Sequence, residues 1–367
     1  MHFSRDEKAL STSAQWKTSY QSVSGPFKGF LEVLVKLQRK LHDKELLDNC
    51  PIRTYMVTSR GGGSPGFRAL NTLHDWGLEV DEAFCLGDLR KPEPGSPVII
   101  AISAKLVFTE QNMSPGPAFS FALKAVNAKL RAHYPESQEL FKVILIDDNR
   151  SDELNNAIRE HNLENLTEIM SGEDLINNLK ENNTHLYLSE SEEMVTEALN
   201  NKIAAAVMKT PGEMAEVSES ELRIAFDGDA VLFSNESERV YASEGLEAFY
   251  RNEREKVNDP MKEGPFKGFL QVLVKLQRKL HDKKLLDKKC PIRTYLVTSR
   301  GGGSPGFRAL NTLRYWGLEI DEAFCLGGSE KGPILEMIKP HVFFDDQQHH
   351  IEAALTIGIV GCHVPNQ

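Results

Sequence analysis

Asp227 and Asp229 flank Gly228 directly after the apolar run Leu222–Phe226. Two carboxylates at this spacing can hold a divalent cation, or divide labour so that one attacks an electrophile while the other moves a proton. Alone the pattern is weak, because acid-rich surface turns are common. Its weight comes from three groups of residues downstream. Pro291–Val297 ends in Thr298, Ser299 and Arg300; Lys331 lies in the turn GGSEKGP before a helical pattern; His341–Phe344 ends in Asp345 and Asp346. The three runs are short, apolar and rich in β-formers, as buried parallel strands are. Each brings polar groups to its C-terminal end, the rim where open α/β sheets bind ligands. The expected fold class is therefore α/β, a doubly wound parallel sheet.

The order Asp-x-Asp, Thr/Ser, Lys, Asp-Asp resembles the four motifs of the haloacid dehalogenase superfamily of phosphotransferases. The longer stretches FDGDAVLFSNESERV, CPIRTYLVTSR and KGPILEMIKPHVFFDDQ resemble the cytosolic 5'-nucleotidase type I family, and the likeness runs from Val98 to the C-terminus. It implies a Rossmann-like sheet with a small helical cap and hydrolysis of nucleoside 5'-monophosphates, AMP above others. It also implies Asp227 as nucleophile through an aspartyl-phosphate and Asp229 as general acid and then base. Thr298, Ser299, Arg300 and Lys331 would hold the phosphoryl group, and Asp227, Asp345 and Asp346, with Asp229 through its backbone carbonyl, would hold Mg2+. The residues leave open which of Asp345 and Asp346 touches the ion. Members of the family are cytoplasmic and tend to form homo-oligomers.

Composition agrees with a globular chain: 367 residues, 40% hydrophobic and 26% charged. A net charge of −10 argues against a nucleic acid polymer as partner, since phosphate backbones are met by basic surfaces. Five cysteines without a C-x-x-C pair point to reduced thiols rather than a disulfide framework or a zinc site. Met1–Ser24 lacks the apolar centre of a signal peptide, and no apolar run approaches the ~18 residues that span a membrane.

The chain repeats itself. Gly25–Leu47 recurs as Gly264–Leu286 with two changes, and Cys50–Gly87 recurs as Cys290–Gly327 with four. The first copy has Thr58-Ser59 but no Asp-x-Asp before it and no lysine or acid pair after it, so it holds no complete site. It is expected to pack as an additional αβα unit, to swap into the place of the second copy, or to stay partly unfolded. An older echo sets VIIAISAKLVF at 98–108 against IAFDGDAVLF, with Ser103 where Asp227 stands and Asp147-Asp148 after the next strand. The expected division is an arm at 1–24, the duplicate at 25–87, a proline-rich linker at 88–97, a degenerate half at 98–221 and a site-bearing half at 222–367. Its cap would be 234–289.

Three blander or rival readings stand beside this one. Gly301–Gly306 matches G-x-G-x-x-G, with Asp321 twenty residues on, the fingerprint of a dinucleotide-binding oxidoreductase. Thr298-Ser299-Arg300 between strand and glycines, and Pro305 where N–H groups should face pyrophosphate, weigh against it. His349 and His350 are adjacent and so point different ways on a helix, which suits surface or supporting residues better than a metal pair. A catalytically dead nucleotide-binding or interaction protein is the remaining alternative, opposed by the cost of keeping so many acids together without chemistry to do.

Overall fold

In a computed structural model of the chain, the residues described are 32, 35, 54–58, 64–78, 80, 82–86, 97–108, 119–133, 140–147, 152–281 and 290–366. The arm at 1–24, most of the first duplicated block, nearly all of the linker at 88–97, Ser59 and Asp148 lie outside them. Twelve strands are described: β1 Tyr55–Thr58, β2 Glu82–Leu86, β3 Val98–Ser103, β4 Phe141–Ile146, β5 Thr167–Met170, β6 Leu186–Ser189, β7 Ala205–Lys209, β8 Leu222–Phe226, β9 Ile292–Thr298, β10 Glu322–Cys325, β11 Val342–Asp345 and β12 Val360–His363. They form one sheet in the order β1-β2-β10-β9-β8-β11-β12-β7-β6-β3-β4-β5.

The apolar runs read as buried strands occupy the middle of this sheet. Leu222, Ile224, Ala225 and Phe226 of β8, and Val342, Phe343 and Phe344 of β11, are each fully buried. Helices cover both faces, so these strands are continuously apolar rather than alternating. β9, β8 and β11 are parallel neighbours, which brings their C-terminal ends to one rim. Only two junctions among the described strands are antiparallel, β2 against β10 and β12 against β7. Around the second, the order β10-β9-β8-β11-β12 is matched by β5-β4-β3-β6-β7. β3, which ends in Ser103, thus holds the central place in its half that β8 holds in the other.

The stretch 234–289, expected as a cap, holds three described helices. Helix Lys267–His281 puts Phe269, Leu270, Leu273 and Leu276 into the main core. The Phe269 ring lies 6.2 Å from Phe226 and 6.3 Å from Phe344. Its apolar face therefore covers the sheet as the crossover from β8 to β9. The helix pair Glu236–Glu244 and Leu246–Glu255 pack on each other and, through the second, on helix Ser304–Tyr315. Of the three fates open to the duplicate, its second block packs as an additional unit, with β2 on the β10 edge and β1 outside it.

Candidate functional site

β8 delivers Asp227 to the rim, where its N–H donates to the Phe344 carbonyl at 2.8 Å and ties it to β11. The chain then makes a wide turn over Gly228–Leu232, with Asp229 extended and Ala230 left-handed at φ 57°. Gly228 permits this turn, because a Cβ there would stand 3.1 Å from Thr298 Oγ1 and 3.4 Å from the Phe233 ring. From the far side, Gly264 N–H donates to Leu232 O at 2.9 Å and Phe266 N–H to Val231 O at 3.0 Å. Asp229 is thus carried on a turn fixed by backbone bonds at both ends.

Lys331, 1% exposed, opens helix Gly332–Ile338 and reaches back under the rim. Its Nζ lies 2.6 Å from Asp227 Oδ1 and 2.7 Å from Asp345 Oδ2. Burial alone would favour the neutral amine, but the two carboxylates outweigh it and hold Lys331 more firmly protonated than usual. Asp345 spends its other oxygen on the Gln347 N–H at 2.8 Å. Neither oxygen of Asp346 accepts a hydrogen bond, although both are buried. Burial and the neighbouring Asp227, Glu238 and Asp345 push the Asp346 carboxyl up to about 8. Asp227, also pushed up by burial, Asp345 and Asp346 each offer an oxygen, all within 4.8 Å of one another. Hard oxygen donors with unshared lone pairs in a buried group suit a hard divalent cation. This set unites three of the four residues expected around a metal; the fourth, Asp229, is expected there through its backbone carbonyl, and its carboxylate pairs with Arg300.

Its partner is Arg300, expected at the phosphoryl group: Nε and Nη2 grip the two Asp229 oxygens at 2.7 Å each, and Nη1 binds Glu253 Oε2 at 2.6 Å and Pro305 O at 3.2 Å. Glu253, fully buried, also takes Arg308 Nη1 at 2.9 Å and the Ser237 hydroxyl at 2.7 Å. Burial pushes Glu253 up, and these partners outweigh it, so the residue stays ionised below its ordinary range. Thr298 is buried with its hydroxyl against Gly228, whereas Ser299 is exposed. Glu253 and Glu238 escape sequence reasoning. They lie in charged helices where an acid pointing at the site looks like any solvated one. Glu238 meets the acid cluster through Gln347 Nε2 at 3.1 Å.

The dinucleotide fingerprint dissolves. Asp321 precedes β10 and so lies at the opposite end of the strands from the glycines. One of its oxygens is taken by Gln277 Nε2 at 2.5 Å, Thr294 N–H at 2.7 Å and the Thr294 hydroxyl at 2.8 Å. Gly306 serves packing, since a Cβ there would meet Gly301 O at 2.5 Å. His350 is buried and His349 exposed, yet their rings lie 3.9 Å apart rather than pointing different ways.

An aspartate on a buried lysine, two further acids and a threonine thus stand together at one rim of a parallel sheet, in the chain order of the haloacid dehalogenase motifs. The sequence model of the family described as 5'-nucleotidase matches residues 5–113 and 102–367, and the chain belongs to that family. It is 44% identical over 261 residues to human cytosolic 5'-nucleotidase 1B, across 68% of this chain and 42% of that protein. The chain therefore spans about two fifths of that relative's length. No solved structure matches.

Proposed function

We propose that the chain is a Mg2+-dependent 5'-nucleotidase that hydrolyses nucleoside 5'-monophosphates, AMP preferred, through an aspartyl-phosphate on Asp227. One observation carries this reading: Lys331 bridges Asp227 and Asp345 beside Asp346, whose two buried oxygens accept no hydrogen bond. The preference for AMP and the cytoplasmic setting rest on the family likeness. No helix among the described residues is long and apolar enough to cross a membrane.

A divalent ion held by Asp227 and Asp346 would neutralise the phosphate and let an anionic nucleophile approach it. Of the two adjacent acids, Asp346 would be the more direct ligand, since both Asp345 oxygens already accept from Lys331 and Gln347. Asp227 Oδ2, the oxygen free of Lys331, attacks phosphorus as the bond to the 5'-oxygen breaks. Lys331 orients Asp227 and balances charge that builds on the phosphoryl oxygens. The Thr298 hydroxyl donates to one of those oxygens. Asp229, 18% exposed at its side chain, would pass a proton to the departing 5'-oxygen and later take one from the water that splits the acyl-phosphate; because Arg300 holds both of its oxygens, this role requires that ion pair to open and Asp229 to pick up a proton from solvent first. A cavity of about 650 Å3 beside Ala230, lined also by Asn235, Arg239, His185 and Lys202, gives the nucleoside a place.

Phosphate release from AMP in Mg2+ and in excess EDTA tests the reading. It is upheld by release that EDTA abolishes and Mg2+ restores. Equal release in both conditions, or none from folded protein across several nucleoside monophosphates, overturns it.

A further inference from the structure

The pairing of β2 with β10 has a symmetry that ordinary edge contacts lack. Both strands begin the same five-residue sequence, Glu-Ala-Phe-Cys-Leu, at Glu82 and at Glu322. They run antiparallel with Ala323 opposite Cys85, Phe324 opposite Phe84 and Cys325 opposite Ala83. Exchanging each residue for its counterpart in the other copy turns the first pair into the third and leaves the central pair unchanged. The pairing is therefore a local two-fold through Phe84 and Phe324. The neighbouring pairs repeat this relation: Tyr55 stands opposite Glu82 in β1–β2 as Tyr295 stands opposite Glu322 in β9–β10. Helices Ser64–Asp75 and Ser304–Tyr315, which share the sequence SPGFRALNTL, also pack on each other, with His74 stacked on Phe307 at 5.2 Å. Leu70, Val80 and Ala83 share one core with Leu310, Ile320 and Ala323, their own counterparts.

A two-fold between identical segments is the arrangement of an isologous interface between two chains. From these observations we propose that β10 with helix Ser304–Tyr315 is a self-complementary docking surface whose partner is a second copy of the same segment, and that in this chain the internal copy fills it. The backbone groups along β10 that would otherwise form an open edge are paired by β2, and the exposed edge of the sheet moves outward to β1. A chain whose internal copy cannot dock would present β10 to a second molecule.

Light scattering on the full chain tests this with Ala83→Asp, which puts a charge at a residue 1% exposed in the copy and leaves β10 intact. The particle mass of the variant should at least double relative to wild type at the same concentration, with its circular dichroism retained. An unchanged mass in a folded variant whose β10 amides have lost hydrogen-exchange protection overturns the proposal. Ala323→Cys gives an independent reading should the first variant fail to fold. Mild oxidation of that variant should link the introduced thiol to Cys85 within a single chain, since the two positions are paired in register. Peptide mapping that never recovers this link, while folded protein is oxidised, also overturns it.

Discussion

Arg300→Met is the substitution that most searches the reasoning about the site. It keeps the apolar stem and removes a guanidinium that is 1% exposed and bound to two acids. The two acids it leaves behind are not equivalent. The Asp229 side chain is 18% exposed, so water can reach it. Glu253 is 0% exposed, but it retains Arg308 at 2.9 Å. Removing one partner of a buried ion pair costs about 3–5 kcal/mol. Partial hydration at one end and a second cation at the other place this case at the low end, ~3 kcal/mol. With a urea slope of about 3 kcal/mol per molar, the unfolding midpoint should fall by about 1 M at unchanged slope. Adding Glu253→Gln should cost less in Arg300→Met than in wild type, by ~1–2 kcal/mol, because the two residues share one interaction. Tryptophan fluorescence across a urea series measures all four proteins. A midpoint shift under about 0.3 M, or additivity within about 0.3 kcal/mol, would refute the view that Arg300 holds the Asp229 turn to helix Leu246–Glu255.

Three further outcomes rest on local geometry. The Arg223 N–H donates to His341 Nδ1 at 3.0 Å, which fixes the proton on Nε2 against Ser218 O, and burial pushes this histidine down to about 4. The unfolded chain then binds the extra proton between about pH 6.5 and 4, so stability should fall by ~3 kcal/mol as pH drops through that window, and His341→Gln should flatten the slope in urea titrations. Gly264→Ala would place a Cβ 2.4 Å from both Val231 O and Phe233 O, and should lower stability by about 2–4 kcal/mol in thermal or urea unfolding. Asp346→Asn should raise the Mg2+ concentration for half-maximal activity by at least about tenfold, yet leave metal-free stability no lower, because it replaces a buried carboxyl, largely protonated at neutral pH, whose oxygens accept no hydrogen bond.

The strands at the site could be read from the chain because β8, β9 and β11 are buried on both faces, so each is a bare apolar run ending in polar groups. The meeting of Asp227, Lys331, Asp345 and Thr298 followed from that, since parallel neighbours share a rim. Lys267–His281 falls in the stretch expected as a cap, and its helix buries an apolar stripe in the core. An apolar stripe looks the same whether it faces a sheet or a cap. Arg300 was placed at the rim by its position after Thr298, but the anion it meets is set by Glu253, 47 residues away on another element. Asp321 satisfied a spacing rule that says nothing about which end of a strand the acid occupies. The pairing of β2 with β10 was open for a different reason. Two near-identical segments specify each other only through an edge, and an edge strand carries no sequence mark of its partner.

The most direct test of the proposed chemistry is phosphate release from AMP with Mg2+ by wild type and Asp227→Asn. The substitution keeps the shape of the side chain and leaves Lys331 on Asp345, so the protein should fold while release falls to the limit of detection. Release by folded Asp227→Asn within about tenfold of wild type would contradict an aspartyl-phosphate at this residue and remove the foundation of the account.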